Sequence, residues 1–333
     1  MSDIFICDHC GQPFSASSQY ESDDHTCLCR ECYEDHYTRC VRCDCIIELD
    51  DAHIWDGDYY CCDCHEAVQS KCAIRNYYYK PAPIFYGDGP RYFGVELEID
   101  RGGESESNAK RLLSIANALE DLMYCKHDGS LDDGFEMVTH PMTLRYHLEI
   151  MPWRDILAKA VELMYWSHKG GTCGLHVHVN RSALGAAYEE QEAVIARILY
   201  FMEKHWEELL KFSRRTPSQL ERWAARYGYK NCPKEILDTA KKGYGGRYVS
   251  VNLENNATIE FRIFRGTLKY NTLIATLQMV NRICNVAMYL TDDELQAMSW
   301  TTFVSGCHEK ELVQYLKERR LYINEPIITE EEI

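Results

Sequence analysis

Apolar and acidic residues alternate with a period of two along Gly94-Val95-Glu96-Leu97-Glu98-Ile99-Asp100. That period is the signature of a β-strand with two unlike faces. Val95, Leu97 and Ile99 point one way, and Glu96, Glu98 and Asp100 point the other. Three carboxylates on one strand face repel one another. A solvated edge strand tolerates such a face, and for a lone E-x-E that plain reading stands first. The pattern recurs, however. Gly134–Thr139 sets Glu136 against Phe135 and Met137. Leu175–Asn180 sets His176, His178 and Asn180 against Leu175, Val177 and Val179. Tyr248–Leu253 and Thr258–Phe264 are expected as two strands joined through Asn255-Asn256. In the last of these, Ile259, Phe261 and Ile263 oppose Glu260, Arg262 and Phe264, and the strand before it adds Ser250 and Asn252 to the polar side.

Between these strands the apolar period lengthens to that of amphipathic helices. One is expected from Ser107, as its cap, to about Tyr124. Others are expected over 153–166, 186–212, 217–227, 233–242, 271–290 and 308–320. Lys126–Leu131 is expected as a polar turn, Lys241–Arg247 as a basic loop, and Glu330-Glu331-Glu332 as a frayed acidic tail. Strands with one apolar face and helices to cover it make an α+β domain. Its antiparallel sheet carries helices on one face and chemistry on the other.

The first 72 residues follow neither period. They hold twelve of the seventeen cysteines, mostly in C-x-x-C pairs. Cys7, Cys10, Cys29 and Cys32 form one unit, and Cys40, Cys43, Cys61 and Cys64 a second, shifted by about one repeat length. Four thiolates per unit make a closed tetrahedral site, so two structural zinc ions are expected. Each second pair leads into a helix-like segment, which resembles treble-clef, zinc-ribbon and LIM-type modules. Cys27, Cys45, Cys62 and Cys72 are left over, as are His9, His25, His36, His53 and His65. His25 or His36 could replace a thiolate, and the plain reading makes each spare a small buried or supporting residue. Domains are therefore expected at 1–38 and 39–75 for the zinc modules. A linker stiffened by Pro81 and Pro83 is expected at 76–90, and a catalytic domain at 91–333.

Composition narrows the function. The chain has 333 residues and a formal net charge of −16, which argues against a general nucleic-acid binder. Residues 1–80 carry 16 acidic against 6 basic residues. The zinc modules are therefore expected to dock a protein partner, to present substrate, or only to stabilise the fold. No apolar run reaches the length of a membrane span. The N-terminus lacks the pattern of a signal peptide, and with thiols in metal-site spacing a cytoplasmic location is expected.

The ordered set Glu96-x-Glu98, Lys126-His127-Asp128-Gly129-Ser130-Leu131, Glu136–Pro141, Gly174-x-His176-Val177-His178 and Glu260-x-Arg262 resembles the amidoligase family. That family, often found in phages and bacteria, belongs to the glutamine synthetase and glutamate–cysteine ligase-like superfamily of carboxylate–amine ligases. The resemblance covers roughly residues 91–290. It implies a glutamine synthetase-like catalytic fold and an ATP- and Mg2+- (or Mn2+-) dependent reaction. A carboxylate attacks the γ-phosphate of ATP, and an amine displaces phosphate from the acyl-phosphate. By the same resemblance, Glu96, His176 and Glu260 would hold one metal and Glu98 and Glu136 another. Arg262 would contact the transferring phosphoryl group, and His178 would support a ligand or touch phosphate. Lys126, Asp128, Arg247, Arg265 and Lys269 are candidates for nucleotide or substrate contacts, with turn or solvated-surface roles as the alternative. Amino-acid, peptide or protein carboxylates and amines are the expected substrates. A phosphotransferase on a related fold and a non-catalytic nucleotide-binding zinc adaptor are the competing readings.

Overall fold

The chain divides into two units, Met1–Cys72 and Ala73–Ile333. The computed structural model describes residues 4–15, 19–21, 26–55, 57–69, 72–169, 171–243 and 246–322. His25, Gly170, Tyr244, Gly245 and the Glu330–Glu332 tail lie outside the described residues.

The first unit is a row of short antiparallel hairpins. Strands β1 (Ile4–Ile6) and β2 (Pro13–Ser15) pair, as do β3 (Gln19–Glu21) and β4 (Cys27–Cys29), and helix α1 (Arg30–His36) follows. Then β5 (Tyr37–Arg39) pairs with β6 (Ile46–Glu48), and β7 (His53–Trp55) with β8 (Asp58–Tyr60), before α2 (Cys62–Gln69). The repeat is visible in the backbone. Cys7 N donates to Gln12 O, and Cys40 N donates to Cys45 O. The residue after the second cysteine of each turn is left-handed, Gly11 at φ 70° and Asp44 at φ 63°, which closes the tight loop. A buried core of Cys7, Leu28 and Cys32 with partly buried neighbours is small for independent stability, the situation in which a metal staple contributes most.

The second unit is built on a seven-stranded sheet. Its strands are β9 (Ile74–Arg75), β10 (Phe93–Ile99), β11 (Met123–Lys126), β12 (Phe135–Thr139), β13 (Gly174–Asn180), β14 (Val251–Asn252) and β15 (Thr258–Arg265), in the spatial order β14-β15-β13-β10-β12-β11-β9. All pairs are antiparallel except β9 with β11, so the sheet is mixed at one edge. Helices α3 (Glu106–Ala116), α4 (Leu144–Glu149), α5 (Trp153–Glu162), α6 (Tyr188–Lys204), α7 (Trp206–Ser213), α8 (Pro217–Trp223), α9 (Pro233–Lys241), α10 (Tyr270–Tyr289), α11 (Asp292–Ala297), α12 (Trp300–Ser305) and α13 (Lys310–Glu318) complete it. Val95, Leu97, Val177, Ile259 and Phe261 are fully buried with α10 and its neighbours in one continuous core. No described helix is long and apolar enough to cross a membrane.

Several elements depart from the sequence expectation. The helix expected to reach Tyr124 stops at Ala116, because Asn117 Oδ1 accepts from Leu122 N and Met123 N and its amide donates to Met123 O. This side chain turns the chain back into β11. The cap is Ser105, whose Oγ accepts from Asn108 N, not Ser107. The helix expected over 186–212 breaks at His205. Tyr248–Leu253 shrinks to the two residues of β14. Phe264, expected on the polar face, is buried in the core. The pairing of β13 with β15 slips by one residue between Leu175 and Val177, and a bulge of this kind reverses the facing of the residues beyond it.

Candidate functional site

Strand pairing brings the polar residues into rows across the sheet. Glu98 is opposite Glu136, and Glu136 is opposite Lys126. Glu96 is opposite His176. His178 is opposite Glu260, and Glu260 is opposite Asn252. These rows line one cleft of about 680 Å3 that also takes in Asp128, Arg215, Arg247 and Arg262. Ten of the twelve candidate residues named for the site from sequence therefore converge.

Of the other two, Arg265 follows the bulge, at the end of β15, and lines a different cavity. Lys269 is exposed at the start of α10 and is absent from the cleft lining.

Imidazoles bridge the carboxylates. His176 Nδ1 lies 3.3 Å from Glu96 Oε2 and 3.6 Å from Glu260 Oε1, and its Nε2 lies 3.7 Å from Glu98 Oε1. His178 Nε2 lies 3.1 Å from Glu96 Oε1. Arg262 Nη1 donates to Glu260 Oε1 at 2.5 Å, and Asn252 Nδ2 donates to Glu260 Oε2 at 2.9 Å. Gly174 N donates to Glu98 Oε2. Lys126 Nζ stands 3.1 Å from Glu136 Oε2 as an ion pair without an aligned hydrogen bond.

Burial and charge divide the carboxylates. Burial raises Glu136 well above the ordinary carboxylate range, Glu96 adds to the rise, and Lys126 only partly opposes it. Burial also raises Glu98, against the pull of His176. Glu96 goes the other way. Its burial is outweighed by His178 and His176, and it falls well below the usual value. His178 is raised, because Glu96 and Glu260 overcome its burial. Lys126 is likewise raised by Glu136 and Glu96 against its burial.

A site with several carboxylates buried together fits hard cations, which take oxygen ligands. Three overlapping groups have ligand atoms within 4.8 Å of one another: Glu96 with His178 and Glu260, Glu96 with Glu136 and His176, and Glu98 with Asp128 and Glu136. Gly174 leaves room for this arrangement. A Cβ there would stand 2.5 Å from His176 Nε2 and 2.7 Å from Arg215 Nη2.

Arg215 was not legible beforehand. It sits just past α7, and its Nε donates to Phe264 O. Burial lowers its guanidinium to about 10 while Glu98 favours its charge. Tyr77, Tyr78, Trp223 and Tyr248 also line the cleft. Arg247 bonds the Tyr77 and Tyr248 hydroxyls, and its guanidinium lies 5.0 Å from the Tyr248 ring centre. Beyond Glu96 and His178 the same sheet face continues into a more apolar chamber of about 720 Å3, which includes Pro81, Pro83, Phe85 and Tyr92.

In the first unit, the sulfurs of Cys7, Cys10, Cys29 and Cys32 lie within 4.8 Å of one another, as do those of Cys40, Cys43, Cys45 and Cys61. Both groups fit tetrahedral zinc. Backbone amides of Cys10, Cys29 and His9 outweigh burial and lower the Cys7 thiol to about 6, and Cys61, Cys43 and Arg42 amides do the same for Cys40. Cys64, expected as the fourth ligand of the second group, adjoins Cys43, Cys61 and Cys40. Five thiols therefore crowd that centre. The described spare histidines pair with each other. His9 stacks on His36, and His53 on His65, both at 4.6 Å between centroids.

No curated protein matches the chain. Similar solved structures include a bifunctional glutathione synthetase from Pasteurella multocida, at 12% identity and a TM-score of 0.37, covering 69% of this chain and 46% of that one. Another is the complex between prokaryotic ubiquitin-like protein Pup and its ligase PafA, at 11% identity and a TM-score of 0.31, covering 69% of this chain and 56% of that one. The chain spans about half the length of these structures. Residues 114–284 match the family described as "Putative amidoligase enzyme". The match begins after β10, so Glu96 and Glu98 precede it, whereas Glu136, His176, His178, Glu260 and Arg262 fall within it. It spans just over half of the chain, and the protein belongs to the putative amidoligase enzyme family.

Proposed function

We propose that the protein joins a carboxylate to an amine in an ATP-dependent reaction that requires Mg2+ or Mn2+. The observation that carries this reading is the row of buried carboxylates and imidazoles on one sheet face, with Arg262 on Glu260 at its border. Glu96, His178 and Glu260 are suited to hold one cation, and Glu98, Asp128 and Glu136 another, with His176 grouped with Glu96 and Glu136 between them. Divalent ions bound there would neutralise phosphate charge that the bare carboxylates repel.

The remaining roles follow from position. Arg262 presents a planar fork to the transferring phosphoryl group, where its charge acts most strongly as the transition state forms. A substrate carboxylate oxygen attacks the γ-phosphorus, and ADP leaves. The amine nitrogen then attacks the acyl carbon, phosphate leaves, and a nitrogen proton is lost. Asn252 orients Glu260 through its Oε2, and the Gly174 amide orients Glu98. Lys126 partly offsets the charge of Glu136 when that carboxylate is ionised. Amino-acid, peptide or protein substrates all suit this chemistry. The acidic zinc-module unit is suited to docking a basic partner or substrate.

The test is to incubate the full chain with ATP, Mg2+ and panels of amino acids and peptides. ADP and phosphate are followed, and products are searched by mass spectrometry. Amine-dependent phosphate release with a product lighter than its substrates by one water is the expected result. ADP formation with a stable phosphorylated acceptor would replace this reading by phosphotransfer.

A further inference from the structure

A second cavity in the same unit has the opposite chemistry. It encloses about 640 Å3 and is lined by Arg214, Arg215, Arg265, Arg319, Lys211 and His168, with Glu207 the one acid among its charged lining. The chain as a whole carries a formal charge of −16, so this concentration of cations runs against the average.

The arginines are held by backbone carbonyls. Arg214 donates to Arg265 O and Gly266 O, Arg265 donates to Arg214 O, Arg215 to Phe264 O, and Arg319 to Lys211 O. Carbonyls orient a guanidinium but leave its charge uncompensated. The Nε atoms of Arg214 and Arg265 are buried without a hydrogen-bond partner, and an unmet buried donor is costly. Arg214 also adopts a left-handed backbone at φ 64°, an uncommon conformation for a residue with a side chain. Arg215 is itself 94% buried. The cavity thus gathers cations that repel one another, and a bound anion would relieve that repulsion.

We propose that this cavity binds a small phosphate-bearing polyanion, of about tripolyphosphate size, separately from the acidic cleft. Planar guanidinium forks match phosphate oxygens in pairs. Four of them with a lysine favour several phosphates over one, and the volume suits a small ligand. The anion comes either as free polyphosphate or as the phosphate tail of a nucleotide. Arg215 lines both this cavity and the cleft, so an anion here draws on the guanidinium that acts on Glu98. The proposal stands whether or not the ligase reading holds.

Calorimetric titration of the full chain without added Mg2+ or Mn2+ tests it, using tripolyphosphate, ATP and AMP as probes. One saturable site for tripolyphosphate is expected, weakening as salt rises. Arg265→Gln and Arg319→Gln should each lower affinity tenfold or more, and Glu260→Gln should leave it unchanged. If Arg265→Gln fails to fold, Lys211→Gln at the exposed rim should still lower affinity severalfold. Tighter binding of ATP than of tripolyphosphate supports the site with a nucleotide as its ligand, and the reverse supports it with free polyphosphate. Absence of saturable binding overturns the proposal, as does equal affinity in the cavity variants. A changed affinity in Glu260→Gln, with the cavity variants unaffected, also overturns it, because the anion then occupies the cleft.

Discussion

Glu98 and Glu136 stand directly opposite each other across the β10–β12 pair, both buried. Like charges in that position destabilise a sheet, and burial with Glu96 nearby keeps Glu136 protonated well above its ordinary range. A group whose folded pKa is raised loses stability as pH climbs past its unfolded value, because the unfolded chain releases the proton first. In the absence of added cation, Glu136→Gln should therefore gain stability over the native chain as pH rises above the usual carboxylate range. Added Mg2+ or Mn2+ should stabilise the native chain, and the variant should bind it at least about tenfold more weakly. Thermal unfolding across pH, with and without cation, checks both. A variant that is less stable at every pH, and equally responsive to cation, would show a purely structural carboxylate.

The polar face of the sheet was legible because a strand's side chains alternate strictly. Glu96, Glu98, Glu136, His176, His178, Glu260 and Arg262 could each be assigned to one side before any contact was known, and they share one cleft. What alternation could not carry was lost. The bulge in β15 turned Phe264 into the core and left Arg265 in the basic cavity. Arg215, Tyr77 and Tyr248 enter from loops, where no period marks a direction. Strand β11 was masked by the Asn117 turn, and β9 has two residues, too few to show a pattern.

The first unit should carry about two zinc ions, one for each four-thiol group. Elemental analysis of protein purified without added metal should find both. Cys10→Ser should lose about one of them. Cys45→Ser should release zinc to a chelator faster than the native chain, because Cys45 falls within the second group. A native chain without zinc would leave these thiols as ordinary reduced cysteines.

Glu260 and Arg262 test the division of labour in the cleft. As a cation ligand, Glu260→Gln should remove nearly all cation-dependent ATP turnover. Arg262→Lys keeps the charge and loses the paired geometry. It should lower turnover by roughly one or more orders of magnitude, as for loss of one transition-state donor, while ATP still binds. Their contact at 2.5 Å also allows a purely structural pair. In that case both variants should lose thermal stability together, with activity per folded molecule unchanged.

His147 sets a pH limit on the fold that is independent of the cleft. It is fully buried in α4. Its Nε2 lies 3.0 Å from Phe93 O, at the start of β10, and Trp153 Nε1 donates to its Nδ1 at 3.3 Å. The neutral ring with its proton on Nε2 meets both partners, whereas a proton on Nδ1 would face the Trp153 N–H. Burial accordingly lowers this histidine from 6.5 to about 4, against the smaller pull of the Phe93 carbonyl. The sign follows from linkage. Below pH 6.5 the unfolded chain takes up a proton that the folded chain refuses, so the unfolded state gains. Stability should fall as pH drops from about 6.5 toward 4, by at most on the order of 3 kcal/mol from this residue. His205, lowered to about 4 by burial and by Lys204, acts in the same direction. His147→Gln can still donate to Phe93 O and accept from Trp153, but it cannot titrate. Melting temperatures from pH 4 to 8 should show the native chain above the variant at pH 8, with the gap closing or reversing toward pH 4. A gap that stays constant across that range would assign the acid sensitivity to other groups.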